Sequence, residues 1–174
     1  MASEKPKTKN ETSGNPFTIT RTFEAPRELL FDVWTDPKHL IHWIGPKGVV
    51  GEFIKADIRA GGTSFCCMTV PGGSNMYSKA IYREVSRSTR IVYTQYFCDQ
   101  NQEIVRHPLS PIWPLEILTT VHFEEVGSQT KLTLIWTALN ASAEEQATFD
   151  QSHESMNQGW GGSFEQLAAY LGDL

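Results

Sequence analysis

His153 opens the stretch HESMNQGWGGSFEQLAAYL, which ends at Leu171. At helical spacing it shares one stripe with Phe149, Met156, Trp160, Phe164, Leu167 and Leu171, and it is the one polar member. Facing a cavity, such an imidazole exchanges hydrogen bonds or protons with a ligand oxygen at neutral pH. Packed in a core, it is a structural residue held by one hydrogen bond. His107 lies in a loop that can approach the mouth of a site. His39 and His42 are three apart on a short helix, a metal-clip spacing, but no carboxylate or cysteine converges on them, so no metal is expected. The three cysteines, Cys66, Cys67 and Cys98, have no framework spacing and read as buried free thiols in a reducing compartment. Glu52, Glu84 and Glu116 sit in strand-like segments without a facing partner. GxSxG, GxxxxGKS/T, HExxH and CxxC motifs are absent. No catalytic residue and no cofactor is assigned from these patterns.

The elements that must position these residues follow from periodicity. FTITRTF (Phe17–Phe23) alternates as a half-buried strand. Pro26 suits a first helical turn, and Leu29, Leu30, Val33 and Trp34 follow at helical spacing. Asp36 and Pro37 cap and open a second short helix carrying Leu40, Ile41 and Trp43. Six strand-like segments come next, over Val49–Ile58, Thr63–Val70, Met76–Val85, Arg90–Cys98, Leu115–Glu125 and Lys131–Leu139. Their short turns favour an antiparallel meander. The stretch Asp99–Pro114, with three prolines, reads as a loop at the sheet rim. Ser142 and Glu145 fit a capping box, from which a single final helix runs to about Leu171. The fold class is therefore α+β, with about seven strands bent around one long C-terminal helix.

A sheet curved around a helix encloses a space. Its expected wall comprises Trp43, Phe65, Cys67, Tyr82, Tyr93, Gln95, Trp113, Val121, Trp136, Met156 and Trp160, with His153 as the polar candidate. The list is mostly apolar with a few polar groups, as ligand sites are; the same rings also suit a filled core. Gly159, Gly161 and Gly162 interrupt the final helix, each at about 1 kcal/mol relative to alanine. Either they let a strand or the Trp160 indole approach closely, or their missing side chains leave a hollow.

Bulk composition narrows the function. A chain of 174 residues suits one domain, taken as 17–174, behind a disordered tail at 1–16. A formal charge of −5 argues against a general nucleic-acid binder. No apolar run is long enough for a membrane span, and the N-terminus lacks the apolar core of a signal peptide. A cytoplasmic protein is the expectation.

TITRTFEAPRELLFDVWTDPKHLIHWIGPKG (Thr18–Gly48), IRAGGTSFCCM (Ile58–Met68), AIYREVSRSTRIVYT (Ala80–Thr94) and NQGWGGSFEQLAAYL (Asn157–Leu171) together resemble the activator-of-heat-shock-ATPase-like family. That family lies within the SRPBCC superfamily of START-like and birch-pollen-allergen-like proteins. The resemblance implies a helix-grip fold with a cavity between sheet and C-terminal helix, and a scaffold for hydrophobic ligands more than any one activity. Members often carry a histidine four residues before the helix tryptophan, where this chain has Met156; its own histidine lies one turn earlier, at His153. The stretch Phe97–Pro114 is longer than in compact members.

Three functions remain in view. The first is binding of a small hydrophobic molecule, as carrier or sensor. The second is an enzyme of the polyketide cyclase or hydrolase kind, using His153 or a strand carboxylate. The third is an interaction protein resembling the co-chaperone branch; larger members of that branch carry an extra N-terminal domain that a 16-residue tail cannot supply. A homodimer or a chaperone contact is the protein partner to look for. Trp113 is either an exposed aromatic for such a contact or an anchor for its own loop.

Overall fold

Alternation in β1 (Phe17–Phe23) buries Phe17 and Phe23 and leaves the threonines outward. A computed structural model describes residues 15–174, so the tail expected at 1–16 lies almost wholly outside the described residues. Helix α1 (Arg27–Thr35) starts after Pro26 and buries Leu30, Phe31, Val33 and Trp34. Helix α2 (Pro37–Leu40) is capped as expected, the Asp36 carboxylate accepting the Lys38 N–H at 2.9 Å.

The remaining strands are β2 (Val50–Ala56), β3 (Thr63–Thr69), β4 (Asn75–Ser86), β5 (Arg90–Cys98), β6 (Glu116–Val126) and β7 (Gln129–Leu139). They form one antiparallel sheet of seven strands in the order β1-β7-β6-β5-β4-β3-β2. The meander thus runs from β2 to β7, and β1 closes onto its last strand, Phe17 opposite Trp136. Strand β2 ends before the expected Ile58: the Asp57 N–H makes the last bond to β3, at the Thr63 carbonyl, and the Arg59 N–H then turns back to the Asp57 carbonyl. The Gly61-Gly62 turn follows. A Cβ on Gly62 would sit 2.1 Å from the Asp57 carbonyl oxygen, so only glycine fits there.

The C-terminal helix differs from the single run expected. Helix α3 (Ala143–Gln151) opens on the capping box of Ser142 and Glu145, then breaks at Ser152 before α4 (His153–Gly172). The Ser152 N–H bonds to Phe149, three residues back, and its hydroxyl donates to the Thr148 carbonyl at 2.7 Å. That tighter turn, at φ −97° and ψ 3°, interrupts the α-helical ladder and re-aims α4.

Against the sheet, helices α1 and α4 make their main contacts with β1, β6 and β7. The packed core lies in that half: Leu30, Val33, Val121, Leu132, Leu134 and Leu167 are almost fully buried there. The helix-grip fold is therefore filled on one side, and the concave face of β3, β4 and β5 is left with less to cover it.

Candidate ligand cavity between α4 and the sheet

A cavity of about 500 Å³ occupies that less-covered half and opens to solvent. Its sheet side is set by register. Ser64 and Cys66 on β3, Ser78, Ala80 and Tyr82 on β4, and Tyr93 and Gln95 on β5 point inward; Ser64 pairs with Ala80, Ala80 with Gln95 and Tyr82 with Tyr93. Trp136 of β7 closes the deep end.

The helical side comes from α4 through a stripe of its own. Ser152, Ser155, Gly159 and Ser163 line the cavity together with Met156 and Trp160. These small residues fall at i, i+3, i+7 and i+11, one residue ahead of the large apolar stripe that enters the core. A Cβ on Gly159, Gly161 or Gly162 would meet nothing within 4 Å. Close approach of a strand is therefore excluded as the reason for the helix glycines at all three positions. Gly159 widens the cavity; nothing in the structure explains the other two.

Trp34, from α1, stacks on Trp160 with centroids 6.1 Å apart and planes 15° apart, while Trp136 meets Trp160 edge-on at 5.5 Å. Beyond α2, Ile44, Gly45 and Pro46 form a corner of the mouth. Gly45 has φ +89°, and its carbonyl accepts the Gln166 amide at 2.8 Å, tying this corner to α4. The rim loop supplies His107, Ser110 and Trp113. Trp113 is half-buried, packs on Phe149 at 5.6 Å and is an anchor of its loop, not an exposed aromatic. A smaller cavity of about 190 Å³ adjoins the first, sharing Gln95, His107, Trp113 and Trp136 as wall.

The structure thus brings together Tyr82, Tyr93, Gln95, Trp113, Trp136, Met156 and Trp160 from the expected wall. Four expected members lie elsewhere. Trp43 is fully buried behind Trp34, its indole donating to the Val33 carbonyl at 3.2 Å. Val121 is core. Phe65 and Cys67 are on the opposite face of β3, because Ser64 and Cys66 take the inward positions; Phe65 stacks on Tyr77 between Lys55 and Lys79. His153 does not line the cavity either. Its ring lies against Phe17 and Phe149, and its Nε2 is buried with no partner among the described residues. The break at Ser152 turns Ser152 and Ser155 to the cavity in its place. Trp34, Cys66 and the serines were missed by sequence reasoning; the serine-glycine spacing in α4 was the signal that could have found part of them.

The walls are polar in places and carry no Asp, Glu or Arg. Ser64 Oγ and Tyr82 OH are 3.1 Å apart. Burial raises the Tyr82 and Tyr93 phenols above their ordinary value and pushes the Cys66 thiol up to about 11. Burial also lowers the His107 imidazole. The strand carboxylates are engaged outside: Glu84 with Arg90 at 3.3 Å and Glu116 with the Tyr96 hydroxyl at 2.8 Å. Among the described residues no group of three or more potential metal ligands occurs. No helix among them is long and apolar enough to cross a membrane.

The family model for Activator of Hsp90 ATPase homolog 1-like proteins matches residues 24–172. The chain belongs to that family, and through it to the SRPBCC superfamily. No curated protein matches the sequence. Among solved structures, a protein from Staphylococcus epidermidis is 28% identical with a TM-score of 0.73, covering 94% of this chain and 93% of its own. A protein from Arthrobacter aurescens superposes with a TM-score of 0.77 at 23% identity, covering 91% and 87%. The AHSA1 protein from Silicibacter pomeroyi reaches 0.70 at 20% identity, covering 91% and 98%. The last two share the helix-grip fold and support nothing finer.

Proposed function

We propose that this AHSA1-like protein binds a small hydrophobic molecule in the cavity between α4 and β3–β5, as a carrier or sensor. The observation that carries the reading is the open space of about 500 Å³, walled by four indoles and two thioethers, with hydroxyls and an amide among them. That volume is in the range of drug-sized ligand sites. Affinity comes from apolar area removed from water, at about 25 cal/mol per Å².

The test uses Nile red, an uncharged fluorophore, and a variant that fills the mouth. Gly159→Phe places its ring where a Cβ meets nothing within 4 Å, so the fold is expected to hold. Saturable dye binding by the wild type, lost in a Gly159→Phe protein with unchanged circular dichroism, is the expected result. Equal binding by the two proteins rejects this site.

A further inference from the structure

Resting on that reading, we infer that the cavity selects uncharged ligands that carry oxygen acceptors, and rejects carboxylates and phosphates of the same shape. Among its lining residues there is no Asp, Glu or Arg, and two can be cationic. Lys79 is paired in register with Phe65, on the outer face, and its ammonium is held by the Gln102 carbonyl at 2.9 Å. His107 Nδ1 accepts the Leu109 N–H at 3.0 Å, a bond that requires an unprotonated nitrogen at that position; the ring also packs against Phe97 at 4.5 Å. Neither supplies a counter-charge to the interior. An ionised group taken into such a place gives up its hydration with nothing in return.

Hydrocarbon alone does not suit the site either. The sheet side presents the Ser64–Tyr82 hydroxyl pair, the Tyr93 hydroxyl and the Gln95 amide. The indole N–H groups of Trp34 and Trp136 are buried and have no acceptor among the described residues. Both rings pack on Trp160 at the cavity wall, which places these two unpartnered donors beside the space a ligand would fill. A buried donor without a partner is costly, and an arriving acceptor recovers that cost.

Three probes with one ring system separate the contributions: methyl naphthyl ketone, naphthoate and ethylnaphthalene, titrated at neutral pH by tryptophan quenching and calorimetry, with Nile red as reference. The ketone is expected to bind about tenfold or more tighter than naphthoate, and severalfold tighter than ethylnaphthalene. Naphthoate binding as well as the ketone overturns the charge selection. Ethylnaphthalene binding as well as the ketone overturns the acceptor requirement. If Nile red binds and the ketone does not, the inference fails while the cavity reading stands; if none of the four binds, both fail.

Discussion

Cys66 places a thiol on the cavity wall whose acidity is set mainly by burial, with Cys67 adding to the upward push and a hydrogen bond to the Glu52 backbone opposing it. Held near 11 against an ordinary 9.0, it carries about a hundredfold less thiolate at neutral pH than a free cysteine. Alkylation of Cys66 by iodoacetamide, followed by peptide mapping, is therefore expected to be about a hundredfold slower in the folded protein than in urea. Equal rates would mean the thiol is not desolvated. As neighbours in a strand Cys66 and Cys67 face opposite ways, but the sequence does not show which one faces in. Size misled: Phe65 and Cys67 flank the inward position, whereas the residues that line it include Ser64 and Cys66. Only pairing to β4, with Ser64 opposite Ala80, decides the parity.

At the scale of elements, α4 carries two stripes that serve different neighbours. The large one, through Phe164 and Leu167, fills the core; the small one, through Ser155 and Gly159, leaves space. Replacing Gly161 and Gly162 together by alanine meets no steric obstacle and removes helix-weakening residues outside the cavity wall. A gain of about 1–2 kcal/mol is expected, with Nile red affinity unchanged, read by denaturation and titration. Gly159→Ala gives about half that gain but a weaker dye complex, because its methyl enters the mouth. A destabilised double variant would contradict this account. The strands, the short helices and the capping box were all legible from periodicity and caps. The break at Ser152 was not, because serine is tolerated in helices and only its turn toward Thr148 and Phe149 shows the interruption. That break moves His153 off the cavity, so the best polar candidate in the sequence became a residue between Phe17 and Phe149.

For the molecule as a whole, cavity and stability are linked. A ligand at a hundred times its Kd adds about 2.7 kcal/mol to the folded state, which for a chain of this size raises Tm by about 5–10 °C in a calorimetric scan. No shift with a ligand that titrates would place binding outside the folded cavity. His107 couples the rim to pH. Its imidazole is lowered in the folded state, so below the ordinary 6.5 the unfolded chain binds more protons and stability falls as pH falls. His107→Gln is expected to flatten that part of the profile, measured as denaturation midpoints on either side of 6.5. An unchanged profile would show that the ring is free to charge. The closing pair of the sheet, Thr20 to Thr133, spans 113 positions of chain. At about 5–20 residues per second of synthesis, the first strand emerges from the ribosome on the order of ten seconds before its partner exists. Phe17, Ile19 and Phe23 wait through that interval without their partner strand, so newborn chains are exposed to aggregation and to holdase chaperones until β7 and α4 have been made.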